Sequence, residues 1–430
     1  MSVPLDRLYY FISSRANAIR KGDVVIYRFL PHGSKKVEDL DWLHDYDSLL
    51  SKTSPEIYCY DQEPLDYDRY QNTGYYCGRY PRGFADILKK NQAQVAQHNL
   101  RSDITNIYDR ALLLHSERGS VEVGKYQRDQ FIPVYYWSHA VIARDWYRFA
   151  EHVDFSKNSN TKTFLIYNRA WSGTREYRLQ FSSHLINLAL DQDCLTSCNP
   201  IDPETGTHYK DHAWINLAWN PTNPIEKYFP PTTAESYSSA DFDIWDYKNT
   251  DIEVVLETLF DDVRLYLTEK ILRPIACRQP FIVASTPGSL EYLRSYGFKT
   301  FNNVWDENYD SEENPERRLH SITKLMKSIT EWDPTTRKCK MALAQEIADF
   351  NQQRFFSKEF SDQVVDELDN NLNIALNELE KTNTSRVFFR NREVTMAVPE
   401  LKEFVTQALT PQDLLDLMSK AESYFIKSQT

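Results

Sequence analysis

The sequence predicts an α/β protein of two domains followed by C-terminal helices. Three observations carry that expectation. Short apolar runs of strand length alternate with segments whose apolar residues recur at helical spacing, which argues for a mainly parallel sheet. The chain has 430 residues, a length that favours two domains over one. A polar, turn-rich stretch at 156–162 separates two such alternating series. The expected division is 1–156, 163–380 and a helical extension at 381–430.

In the first series, strands are expected at 23–30, 57–60, 111–116 and 131–137. The second strand stops at Asp61-Gln62-Glu63-Pro64, where Pro64 ends the ladder and biases Glu63 to an extended backbone. Two carboxylates at the C-terminal end of a strand fall where open α/β sheets keep their sites. Residues 141–150 have helical spacing, which places His139 at the mouth of a helix.

The second series opens with a strand at 163–168 that runs into Arg169 and Arg175, then a helix with Phe181, Leu185, Leu188 and Leu190 on its apolar side. Residues 194–250 read as a long loop, which in a compact domain is usually functional or partly disordered. A strand at 252–258 leads to Tyr266-Leu267-Thr268-Glu269-Lys270, a helix, a buried strand at 280–285, and a turn at Pro287-Gly288. After it come an exposed acidic insert at 306–316 and a long helical region at 337–381. The final segment holds a strand-like run, Arg386-Val387-Phe388-Phe389, and a last helix starting at Pro411 with Thr410 as cap.

Composition narrows the partners. A formal net charge of −12 argues against a broad basic face for nucleic acid, so any DNA contact needs a local patch. Lys35-Lys36, Arg79, Arg82 and Lys89-Lys90, interleaved with Tyr70, Tyr75, Tyr76, Tyr80 and Phe84, are the candidate patch; the plain alternative is a solvated face. Cysteines at 59, 77, 194, 198, 277 and 339 lack zinc-site spacing and read as free thiols of a reducing cytosol. The first residues have no signal-peptide core, and no run approaches ~18 apolar residues, so cytoplasmic placement without a membrane span is expected.

The chemistry concentrates where helices begin. At the Thr268-Glu269-Lys270 start, free backbone N–H groups and the helix dipole favour an anion. Lys270 can neutralise a diphosphate, and Glu269 can accept hydrogen bonds from a ribose diol. The plain alternative is a solvated pair at a capped helix start. Arg169 and Arg175 flank a second strand-to-helix turn; there the alternative is a charged helix face shared with Glu176 and Arg178. Several Asp-x-Asp pairs occur, none cleanly after an apolar strand, and no phosphate-binding glycine loop or zinc motif is present.

The run Tyr266-Leu267-Thr268-Glu269-Lys270 resembles the nucleotide-sugar motif of α1,3-fucosyltransferase-like enzymes, in which Tyr-Val-Thr-Glu-Lys opens a helix. The resemblance takes in the apolar strand and Pro-Gly turn at 280–288 and the strand-to-arginine element at 163–178. It looks more like the phage-encoded branch of such glycosyltransferases, and it covers roughly 163–305. Pro274, inside the helix, departs from the pattern. A mid-helix proline costs about 3 kcal/mol, so a kink or an irregular first turn is expected.

The resemblance implies a GT-B fold, two Rossmann-like domains facing across a cleft, with the donor on the C-terminal domain and the acceptor on the N-terminal one. It implies inverting, metal-independent transfer from a UDP- or GDP-sugar. The donor would be held by Arg169 or Arg175 at the diphosphate, with Thr268, Glu269, Lys270 and Gly288. The base is expected to be a carboxylate of the N-terminal domain; Glu63 comes first, Asp61 next and His139 third. The acceptor is either a hydroxymethylated pyrimidine in double-stranded phage DNA, in which case the host cytoplasm is the setting, or a glycan. A non-catalytic sugar-binding protein on the same fold is the remaining alternative.

Overall fold

A computed structural model describes residues 6–20, 25–28, 55–60, 62–67, 111–128, 131–159, 161–232 and 238–397. The fold is mixed α/β with parallel sheets and C-terminal helices. Asp61, the basic and aromatic residues of the candidate DNA patch, and the helix expected at Pro411 lie outside the described residues. The chain divides into two compact units. The larger comprises the described parts of Met1–Leu8, Ser116–Ser120 and Tyr135–Glu367; the smaller comprises the described parts of Tyr9–His115, Val121–Val134 and the chain from Leu368.

The smaller unit is built on strands β1 (Val25–Arg28), β2 (Glu56–Cys59), β3 (Ala111–His115) and β4 (Phe131–Tyr135), in that spatial order. β1 and β2, and β2 and β3, pair in parallel. Tyr58 and Phe131 meet edge-on, with centroids 5.5 Å apart, over a core that includes Leu65, Leu113 and Tyr126. Helix α1 (Asp6–Arg20) is tied to the last helix by Arg15, whose Nε donates to Asp369 Oδ1 at 2.8 Å. Among the described strands the order is sequential, with no reversal.

The larger unit holds the second sheet: β5 (Lys162–Ile166), β6 (Cys194–Thr196), β7 (Thr250–Leu256) and β8 (Phe281–Ala284), ordered β6-β5-β7-β8 and parallel throughout. β7 is buried on both faces apart from Asp251, which suits its run of Ile252, Val254, Val255 and Leu256. Burying each of these side chains is worth about 1.5–3 kcal/mol as an upper estimate. Glu253 is the exception in the run. It is balanced by Arg273, whose Nη2 donates to Glu253 Oε1 at 2.9 Å, while the Tyr247 hydroxyl donates to Oε2 at 2.6 Å.

The chain leaves β5 for β6 on one side, then returns across β5 to place β7 on the other. The direction of winding therefore reverses between β5 and β7. Ligands of open parallel sheets bind beyond the strands' carboxyl ends at such a reversal.

Some local expectations change. The acidic insert is not wholly exposed: Tyr309 is buried, the Asp310 carboxylate accepts from the Leu290 amide at 3.2 and 3.1 Å, and Glu307 accepts from the Phe301 amide at 2.6 Å. The run at 386–389 is not a strand; it lies within the helix Lys358–Ala397. The helix Glu269–Ala276 continues through Pro274. Proline stands sixth of eight residues there, so it removes one late donor and the first turn keeps its cap.

Candidate functional site

The central stretch sits where β7 gives way to the helix Glu269–Ala276. Thr268 has an extended backbone and caps the helix, its Oγ1 accepting from the Lys270 amide at 3.3 Å. Thr268 is itself fixed from behind. Its Oγ1 donates to Glu257 Oε2 at 2.7 Å and its amide to Oε1 at 3.1 Å, so the carboxylate at the end of β7 sets the helix start.

Glu269 is 7 % exposed. Its Oε1 accepts from Lys270 Nζ at 3.1 Å, and its Oε2 lies 3.2 Å from His139 Nδ1, off the line of a good hydrogen bond. Burial would push this carboxyl up, but the Lys270 ammonium and His139 overcome it and hold the group below the usual carboxylate range. Lys270 Nζ also reaches Thr268 Oγ1 at 3.2 Å, and its side chain is 26 % exposed. It is the part of this cluster that meets solvent.

His139 is the second residue of the helix Ser138–Trp146. It is 3 % exposed, and its Nε2 lies 2.9 Å from the Tyr266 hydroxyl. Both ring nitrogens thus face the same cluster, a placement suited to orienting Glu269 rather than meeting an acceptor. Trp137 Nε1 donates to the Leu267 carbonyl at 2.8 Å, and Arg118 pairs with Leu265 as an antiparallel bridge. Arg264 Nη1 donates to the buried Glu117 at 3.0 Å. The segment preceding Lys270 is therefore braced at four successive places.

Across the reversal, β5 leads to Arg169 and Arg175, and then to the helix Tyr177–Asn187. The two arginines converge on one carboxylate. Arg169 Nη2 donates to Glu204 Oε1 at 3.0 Å, Arg175 Nη1 donates to the same oxygen at 3.2 Å, and Arg175 Nη2 donates to Oε2. The three side chains are partly exposed.

Arg178 behaves differently, and the alternative of a charged helix face shared with Glu176 and Arg178 does not form. Both are buried. Arg178 Nη1 donates to the Ala170 carbonyl at 2.7 Å and Nη2 to the Leu256 and Glu257 carbonyls at 2.7 and 3.2 Å, knitting the ends of β5 and β7 together. Burial pulls its pKa below the ordinary arginine value. Glu176 accepts from the Ile215 amide at 3.0 Å and the Asn216 amide at 3.2 Å, and lies 2.8 Å from His212 Nε2.

The remaining expected residues fall elsewhere. Gly288 has φ +80°, a left-handed conformation that suits glycine, and its amide donates to the Asp310 carbonyl at 2.9 Å. With Asp310 also on the Leu290 amide, this helix start is already capped from within the protein. Glu63 is partly exposed just beyond β2, in the smaller unit. Sequence alone does not point to Glu204 or Glu257, and it gives Tyr266 only as the opening residue of the motif run. Glu257 carried a usable signal, a carboxylate at a strand's C-terminal end; Glu204 carried none, because its partners come from a different loop.

Among the described residues, no group of three or more His, Cys, Asp or Glu could hold a metal ion, and no helix is long and apolar enough to cross a membrane. No family model, curated protein or solved structure matches the chain.

Proposed function

We propose that this protein transfers a sugar from a nucleoside diphosphate to a hydroxyl group, using the two-domain GT-B arrangement. One observation carries the reading. Arg169 and Arg175 follow β5, Thr268, Glu269 and Lys270 follow β7, and the two strands are parallel neighbours on either side of the winding reversal. Cations from two helix starts are thereby delivered to one sheet edge, the place for a diphosphate.

In this reading Lys270 and the arginine pair bear the charge that develops on the departing diphosphate, a task that fixed cations perform without reorganisation. Glu269 accepts from the ribose diol, with His139 and Lys270 holding its carboxylate charged. The acceptor's proton passes to a carboxylate, Glu63 first and Asp61 second. The donor is a UDP- or GDP-sugar and the anomeric centre inverts, as the fucosyltransferase-like resemblance implies. The acceptor is the hydroxymethyl group of a modified pyrimidine in double-stranded DNA, a choice that rests on the resemblance to the phage branch.

The test is to incubate the protein with a panel of nucleotide sugars and either hydroxymethylated or plain DNA, then digest and weigh the nucleosides. One glycosyl unit added to the hydroxymethylated nucleoside alone is the expected result. Transfer to glycans but not to DNA would move the acceptor. Donor binding with neither transfer nor slow hydrolysis would make the protein a binding module.

A further inference from the structure

Glu204 occupies the arginine pair in the way an anionic ligand would. Its two carboxylate oxygens take three guanidinium donors from Arg169 and Arg175, a forked geometry that a phosphate's oxygens also offer. We propose that Glu204 is an internal competitor at this site, which a diphosphate displaces when it binds; this rests on reading the sheet edge as a diphosphate site.

The surroundings say which part moves. The backbone carrying Glu204 is pinned by Asp202, which is buried and whose carboxylate accepts from the amides of Trp171 at 2.8 Å, Ser172 at 3.0 Å, Glu204 at 2.9 Å and Thr205 at 3.0 Å. Burial would raise that carboxyl, but these amides hold it below its ordinary value, so it stays charged and the turn stays closed. The Gly206 amide donates to the Asp202 carbonyl at 2.8 Å. Displacement is therefore a rotation of one side chain, 38 % exposed, and not the opening of a loop.

The arginines gain from the arrangement. Arg175 Nε donates to the Ser172 carbonyl at 3.3 Å, and Glu204 fixes the rest of its guanidinium beside that of Arg169. Two mutually repelling cations are thus held in register before any ligand arrives, which lowers the ordering cost of binding. Behind them lies buried Arg178, whose Nε has no hydrogen-bond partner and whose charge adds to the local demand for an anion. A diphosphate carries more charge than one carboxylate and outcompetes it; a ligand with a single weak charge does not. The device discriminates by charge.

Calorimetric titration of inorganic pyrophosphate into the full chain, its Glu204→Gln variant and its Glu204→Ala variant tests this. Removing the competitor is expected to tighten pyrophosphate binding roughly tenfold, the size of two partly exposed ion pairs released. Glu226→Gln, which breaks the separate pair with Lys210, leaves the affinity unchanged. Unchanged or weaker binding in both Glu204 variants, or no pyrophosphate binding by any form, overturns the proposal and makes Glu204 a structural clip. Its failure is separable from that of the sugar-transfer reading. Tighter pyrophosphate binding without transfer from any nucleotide sugar keeps the competitor and sinks the transfer; transfer with unchanged pyrophosphate affinity does the reverse.

Discussion

His139 Nδ1 stands 3.2 Å from Glu269 Oε2, although the two residues come from helices far apart in sequence. The contact joins the start of one helix to the start of another and fixes a buried carboxylate beside Lys270. The Glu269 pKa is held below its ordinary value although burial alone would raise it.

A pH dependence follows. The folded-state pKa of Glu269 is lower than its ordinary 4.5, so its contribution to stability is present above about pH 4.5 and is lost as pH falls below that value. Glu269→Gln should cost about 2–4 kcal/mol at neutral pH, because it leaves the partly buried Lys270 ammonium without its counter-ion. The variant should also lose part of the acid limb of the stability curve. Denaturant unfolding between pH 3 and 7 measures both; equal slopes for the two proteins would count against the arrangement.

The arginines should separate by function. Arg178→Met takes the guanidinium donors from the buried Ala170, Leu256 and Glu257 carbonyls, of which the last keeps the Tyr177 hydroxyl, and should cost about 3–5 kcal/mol of stability. Arg175→Ala removes a partly exposed ion pair and should cost less than about 1 kcal/mol. Nucleoside diphosphate affinity should show the reverse pattern for Arg175→Ala, a loss of about tenfold in a fully folded protein. Thermal melts combined with calorimetry decide it, and a large melt shift for Arg175→Ala would break the distinction.

Glu253 and Arg273 form a buried pair 2.9 Å apart, with the Tyr247 hydroxyl bonded to both. Breaking either partner, by Glu253→Gln or Arg273→Met, should destabilise by about 3–5 kcal/mol. The double variant Glu253→Met with Arg273→Met should recover part of that loss, because neither charge is then left alone. A double variant as unstable as the sum of the singles would argue that the two side chains act independently.

Asp310 supplies the opposite sign. Burial pushes its carboxyl up to about 6 from an ordinary 3.8, although the Leu290 amide opposes the shift. The folded protein binds this proton more tightly, so the contribution is full below about pH 4 and is lost as pH rises through about 6. Asp310→Asn keeps an acceptor for the Leu290 amide and should flatten that decline by about 1–2 kcal/mol. Burial raises Glu307 as well, so some slope should persist. Melting temperatures at pH 4, 5, 6 and 7 provide the check.

Much of the larger unit was legible because burial writes a pattern into the sequence. The runs Ile252 to Leu256, apart from Glu253, and Phe281 to Ala284 are apolar because both faces of the sheet are covered, and Thr268 before Glu269-Lys270 marks a helix start. What escaped depends on contacts between distant segments. Arg178 reads as a surface residue of a helix until the ends of β5 and β7 close over it. Glu204 reads as one acid in a polar loop until Arg169 and Arg175 meet it. His139 stood at the right helix mouth, but only the fold turns its ring onto Glu269. The run Val387-Phe388-Phe389 has the composition of a strand, yet no Gly or Pro interrupts the chain from Lys358 to Ala397, and helix propagation outweighs a short local preference.

The proposed site holds a diphosphate between Lys270 and the arginine pair. Calorimetric titration of UDP and GDP into the wild-type chain and its Lys270→Ala variant tests it most directly. At least one nucleotide should bind the wild-type protein, with the affinity falling about tenfold or more in the variant while the melting temperature is retained. Binding of neither nucleotide, or equal affinity in the two proteins, would contradict the account.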